Sequence, residues 1–388
     1  MDYTRKYYEL KQLCRKANSH MPIDEFAELR ILQFVSESHG ESIFSETEKS
    51  NEDLLSLGMA DSHFTGNNRF NYPVIIPRDG QVHNKAIILL HGLNERFWDK
   101  YLPWAYYLAL YTNRPVILFP LSFHMNRAPE EWANPKVMAP FIDARKKALC
   151  TEDLTFVNLA LSCRLTSEPL RFMRSGHQSA VDLIRLSRQI ELGEISLFKE
   201  GTKPDFFAYS IGAFVSQILL LANPGGLFDK TRFFLFCGGS FFKDMCGVSR
   251  MIMDKAAFER INTFYTQTID EAMQEKKALA MFIDENALGK AFYAMIKQEN
   301  NKEFREDRFL NASKNIFSLA LNKDKVIPPA GISSALALDG RRSEMVEEWD
   351  FPFDYTHEAP FPISGKMDRN IVDYWFGEVF TKAAGFFN

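Results

Sequence analysis

Five short apolar runs, each closed by turn residues, constrain the fold of this chain more than any other feature. They are Ala86 to Leu90, Pro115 to Pro120, Phe206 to Tyr209, Phe233 to Cys237 and Ile316 to Leu321. Each is continuously apolar rather than alternating, the pattern of a strand buried on both faces. Segments of helical periodicity separate them. Strands covered on both faces and joined by helices form a parallel sheet with helices on either side, so the expected class is α/β. A further extended run, Phe70 to Ile76, precedes them and ends in Pro77-Arg78-Asp79-Gly80. An amphipathic stretch from Ile371 to Phe380 would close the domain.

Two gaps are too long for simple crossovers. One covers residues 122–176, with Pro129, Pro135 and Pro140; the other covers 241–311 and is rich in helix formers and charge. Insertions of this kind sit at loops of a rigid scaffold, so 241–311 is expected to be a helical cap. The core is then 69–240 together with 312–388, and residues 1–68 are expected to form a mainly helical extension. Tyr3, Tyr7, Leu10 and Cys14 recur there at helical spacing, as do Phe26, Leu29 and Leu32.

Charge excludes some classes of partner. The 388 residues carry a net charge of −4, which offers no basic footprint for nucleic acid or an anionic membrane. The stretch Met1 to Glu9 lacks the apolar segment of a secretory signal, and no apolar run is long enough for a membrane span. Five cysteines without a C-x-x-C pair point to a reducing, cytoplasmic setting. No oligomeric state is legible.

The third run continues as Phe206-Phe207-Ala208-Tyr209-Ser210-Ile211-Gly212-Ala213-Phe214-Val215. It has the form strand, sharp turn, helix, with a serine at the tip and small residues two places to either side. That geometry holds a hydroxyl out at a strand end, beside the N–H groups of a starting helix. The pattern is G-x-S-x-G with Ala208 in place of the first glycine. A serine capping the next helix is the plainer alternative.

In an open parallel sheet, ligands bind outside the carboxyl ends of the strands. The residues at those ends are His91-Gly92-Leu93, His124, Ser210, Gly238-Gly239 and Asp324. With these in view, the chain resembles the α/β-hydrolase superfamily over roughly 70–240 and 312–388. The resemblance implies a nucleophile, an acid and a histidine in that chain order, the histidine shortly before the last helix. Ser210 is the implied nucleophile. Of eight histidines only His357, in Asp354-Tyr355-Thr356-His357-Glu358-Ala359-Pro360, follows Ser210, and it is the implied general base. Asp324, in Leu321-Asn322-Lys323-Asp324-Lys325-Val326-Ile327-Pro328, is the implied orienting acid, with Asp350 and Asp354 as alternatives.

The same resemblance implies an oxyanion hole from the backbone N–H groups of Leu93 and Ile211, with His91 supporting its loop. His124 and Arg127 follow a strand end and could touch substrate, Arg127 being suited to an acidic group. No metal or organic cofactor is implied, and no phosphate-loop or H-E-x-x-H motif is present. The expected activity is hydrolysis of a carboxylic ester in a small-molecule acyl substrate. A thioesterase, a peptidase or a catalytically silent scaffold are the alternatives, since fold alone does not decide function.

Overall fold

A computed structural model describes residues 2–15, 19–37, 64–149, 153–337, 344–363 and 367–388. Its strands are β1 (His20–Pro22), β2 (Ala27–Val35), β3 (Arg69–Pro77), β4 (His83–Leu90), β5 (Val116–Leu118), β6 (Phe198–Tyr209), β7 (Phe233–Phe236), β8 (Ile316–Leu321) and β9 (Val346–Trp349). They form one sheet in the order β1-β2-β3-β5-β4-β6-β7-β8-β9. From β5 to β9 neighbouring strands are parallel, while β1, β2 and β3 pair antiparallel and β3 joins β5 antiparallel. This is the α/β-hydrolase fold.

The alternation of side chains along each strand sorts the core into two layers. Ile88, Leu90, Phe206 and Ala208 face one layer, shared with helices Leu170–Glu191 and Ile211–Ala222. Ile87, Leu89, Phe207 and Tyr209 face the other, shared with helices Tyr101–Thr112 and Arg369–Phe387. Both faces are therefore dry, which is why the sequence shows unbroken apolar runs. Burying one such side chain contributes roughly 1.5–3 kcal/mol.

The described part of the first 68 residues differs from expectation. Helix Tyr3–Cys14 forms, but Leu29 and Leu32, placed in a helix by their spacing, belong to β2, and Phe26 stands beside it. Strand β2 pairs with β3 along its whole length, from Ala27↔Pro77 to Val35↔Arg69. That long-range ladder overrides a local periodicity too short to separate helix from strand. Residues 38–63 of this segment lie outside the described residues. Helix Tyr3–Cys14 is part of the core: Tyr3 stacks on Phe376 at 4.2 Å, and Thr4 donates from its N–H and hydroxyl to Asp373 at 3.0 and 2.8 Å.

Both long gaps are helical. The first holds helices Pro135–Leu149 and Leu159–Ser167, and the second holds Lys255–Thr263, Ile269–Glu275, Lys277–Glu285, Ala287–Ala294 and Lys302–Asn311. They are pinned together by Arg145, which meets Asp254 in a fully buried two-point pair at 2.6 and 3.0 Å. Asp254 also accepts from Ala257 N–H at 2.9 Å, capping helix Lys255–Thr263, while its own N–H donates to Ser162 Oγ at 2.9 Å. The two insertions, 122–176 and 241–311, are thus packed against each other rather than standing apart. No helix among the described residues is long and apolar enough to cross a membrane.

Candidate active site

Ser210 stands at the end of β6 with φ 57° and ψ −120°, a strained backbone for a non-glycine residue. Its N–H donates to Phe236 O in the next strand at 3.2 Å, and its carbonyl accepts from Ala213 N–H at 2.9 Å. Two glycines make this tight turn physically attainable. A Cβ on Gly212 would lie 2.6 Å from Leu90 Cβ, and one on Gly238 would lie 2.9 Å from Ser210 O. The position of the missing first glycine is different. Ala208 pairs with Leu90 and Leu235 inside the sheet, where its methyl simply joins the core.

Ser210 Oγ lies 2.7 Å from His357 Nε2, and His357 Nδ1 lies 2.7 Å from Asp324 Oδ2. All three residues are buried. A carboxylate only accepts, so the proton sits on Nδ1 and Nε2 is left to accept from the serine hydroxyl. The other oxygen of Asp324 accepts from the N–H groups of Val326 and Ile327, both at 2.9 Å, which fixes the carboxylate's plane. Of the two alternative acids, Asp350 instead accepts from Tyr355 OH at 2.9 Å and pairs with Lys323 at 3.3 Å, and Asp354 is exposed.

Tyr209 was not singled out by sequence. Its ring stacks on the His357 imidazole at 5.4 Å, and its hydroxyl donates to the His357 carbonyl. The residue before the serine therefore sets the height and tilt of the histidine. Lys100 adds a second tie: its ammonium donates to Glu358 O at 2.9 Å and lies 4.7 Å over the Tyr209 ring.

Leu93 and Ile211 flank Ser210 along the cavity wall. The loop carrying Leu93 is held by His91. Leu121 N–H donates to His91 Nε2 at 2.9 Å, so Nδ1 carries the proton and donates to Gly92 O at 2.8 Å. Burial pushes this imidazole down to about 3, which keeps it neutral. Gly92 N–H donates to Tyr101 OH at 2.9 Å, and Tyr101 donates on to Glu95 at 3.0 Å.

Two cavities meet at Leu93, Ile211 and Phe172. The one containing Ser210 measures about 440 Å³, part of it open to solvent, and is apolar, walled by Phe242, Met253, Phe258 and Ile261. The other encloses about 710 Å³, part of it open to solvent, and carries His124 with Arg96, Arg164 and Arg171 on an apolar floor. His124 thus reaches a cavity beside the serine, as its strand-end position implies. Its Nδ1 donates to Ser122 O at 2.8 Å, and burial holds it well below the usual histidine range.

Arg127 does not reach either cavity, which corrects its assignment as a substrate contact. Its fully buried guanidinium pairs with Asp182 at 2.8 Å and donates to Asn67 O and Pro120 O at 3.0 and 3.1 Å. A buried guanidinium surrounded by acceptors is a structural brace. Among the described residues, no group of three or more His, Cys, Asp and Glu side chains is arranged to hold a metal ion.

Solved structures to which the chain is similar include esterases. The chain is similar to a hyperthermophilic esterase from the archaeon Pyrobaculum calidifontis, at 8% identity and a TM-score of 0.43, over 98% of this chain and 90% of that one. It is also similar to a cold-adapted esterase from an Arctic intertidal metagenomic library, at 10% identity and a TM-score of 0.38, over 90% and 94%. A third is the Pyrococcus furiosus esterase Pf2001, at 14% identity and a TM-score of 0.38, over 81% and 86%. No curated protein matches the sequence. A family model does match, over residues 1–388, and the chain therefore belongs to the family of unknown function DUF6051.

Proposed function

We propose that this protein is a serine hydrolase that cleaves a carboxylic ester through an acyl-enzyme on Ser210. The observation that carries the reading is the continuous line of hydrogen bonds, 2.7 Å from Ser210 Oγ to His357 Nε2 and 2.7 Å from His357 Nδ1 to Asp324 Oδ2. A serine hydroxyl is a weak nucleophile until a base in hydrogen-bond reach takes its proton.

In the first step Ser210 Oγ attacks the ester carbonyl and its proton passes to His357 Nε2. Asp324 keeps the imidazole in the required tautomer and stabilises the imidazolium. Negative charge gathers on the former carbonyl oxygen, where the N–H groups of Leu93 and Ile211 are the proposed donors. The tetrahedral species collapses, the C–O bond breaks, and the leaving alcohol takes the proton from Nε2. Water then enters, gives a proton to His357 and attacks the acyl carbon; collapse releases the acid and returns the proton to Ser210. The two helical insertions would shield this chemistry from bulk water.

The test is labelling with a fluorophosphonate, which reacts with an activated serine. Wild-type protein is expected to label and to hydrolyse p-nitrophenyl esters, and Ser210→Ala to do neither, with a loss of turnover on the order of 10³-fold or more. A folded wild type that neither labels nor turns over esters would instead be a binding scaffold, and the reading would be abandoned.

A further inference from the structure

The larger cavity carries a charge that the acyl-transfer step does not use. Arg96 lines it, and no carboxylate does among the described residues. The Arg96 guanidinium donates to Asn94 Oδ1 at 3.0 Å and to Phe123 O at 3.3 Å. Its Nε is buried without a protein partner, as is Nε2 of His124 on the same wall. Both acceptors that it does meet are neutral, and no ion pair of Arg96 is found among the described residues. Burial, with the nearby Arg164 adding to it, pushes Arg96 down to about 10. The two cations share one indole: Arg96 lies 5.2 Å over the Trp132 ring and Arg164 lies 5.0 Å over it. Arg171 is already paired with Glu168 at 3.5 Å, whereas Arg96 meets only neutral acceptors among the described residues.

A guanidinium held in a partly desolvated cavity with only neutral acceptors carries a desolvation cost, and an anion placed against Arg96 would offset it. A guanidinium fork also presents donors at the spacing of a carboxylate or phosphate. The rest of the wall is apolar, with Phe214, Val215 and Ile218 forming a path from Ile211 towards the arginines.

We infer that the substrate is an amphipathic ester with an oxyanion at one end. Its scissile carbonyl would lie at the shared edge by Leu93 and Ile211, its neutral apolar part in the smaller cavity, and its anionic end against Arg96. This rests on the serine-hydrolase reading for the word ester, but not for the anion site.

The experiment compares kcat/KM for neutral p-nitrophenyl esters with isosteres that carry a carboxylate on the acyl or the alcohol side. One of the two anionic isosteres is expected to exceed its neutral partner by about tenfold or more. That ratio should fall by about tenfold in Arg96→Gln and recover in part in Arg96→Lys. In parallel, hexanoate, hexyl phosphate and hexanol are titrated against wild-type protein in thermal unfolding. A saturable rise in Tm with either anion and none with hexanol supports the site, and the stronger of the two anions names the headgroup. Turnover of neutral esters with no anionic preference would overturn the substrate inference and leave the hydrolase reading standing. Loss of serine labelling together with an anion-specific Tm shift would do the reverse. Equal shifts with hexanol and the anions, or none, would remove the anion site.

Discussion

At the scale of single residues, the site depends on who faces the imidazole and who supports it. Ser210 was legible because a strand, a turn and a helix meet at one serine, and His357 because no other histidine follows it in the chain. Asp324 had competitors in Asp350 and Asp354. What separates them is that Asp324 lies 2.7 Å from Nδ1 while Asp350 serves Tyr355 and Lys323. Tyr209 left no signal, because an aromatic residue in a buried strand looks like core. A residue-scale prediction concerns His91. Burial depresses its folded-state value to about 3, so the unfolded chain binds a proton that the folded chain refuses. Its contribution to stability is therefore present above the unfolded value and lost as pH falls from about 6.5 towards 3. At pH 5 the loss from this one group is about 2 kcal/mol relative to pH 7. Urea unfolding of wild type and His91→Gln at both pH values measures it. The variant should be less stable at pH 7 and show a shallower acid limb, and parallel limbs would count against the account.

At the scale of elements, strands were more legible than the pieces that cover them. Runs such as Ile316 to Leu321 are apolar on both faces and announce themselves, whereas β9, with the sequence Val346-Glu347-Glu348-Trp349, is short and half polar. Strand β2 was hidden by an accidental helical spacing. The two insertions were seen as separate features because nothing local couples Arg145 to Asp254, which stand 109 residues apart. Their buried pair makes an element-scale prediction. Removing one partner leaves the other charge uncompensated, so Arg145→Met should cost about 3–5 kcal/mol. Hydrogen exchange should then rise first in helices Pro135–Leu149 and Lys255–Thr263, while β4 and β6 keep their protection. If exchange rises uniformly instead, the two insertions are not held as a unit by this pair.

At the scale of the whole molecule, the sheet brings distant segments to one edge. Ser210, Asp324 and His357 come from the loops after β6, β8 and β9, and the cavity wall adds residues from both insertions. The amino-terminal helix is tied to the far end of the chain through Tyr3, Phe376 and Phe361. Tyr3→Ala should therefore destabilise the entire domain, by about 3 kcal/mol, as a drop in Tm with a single cooperative transition. A separate low-temperature transition would mean that the helix unfolds independently.

The sequence by itself determined the alternation of buried strands and helices, the serine turn and the chain order of Ser210, Asp324 and His357. Those are local or ordinal properties: burial on both faces, a tight turn and chain order are each written in neighbouring residues. Only the tertiary structure decided that β2 is a strand, that Asp324 rather than Asp350 meets His357, and that Arg96 rather than Arg127 faces the cavity. Each of these depends on a partner far away in the chain. Arg127 and Arg96 are equally cationic in sequence, and they differ because Asp182 is folded against one of them.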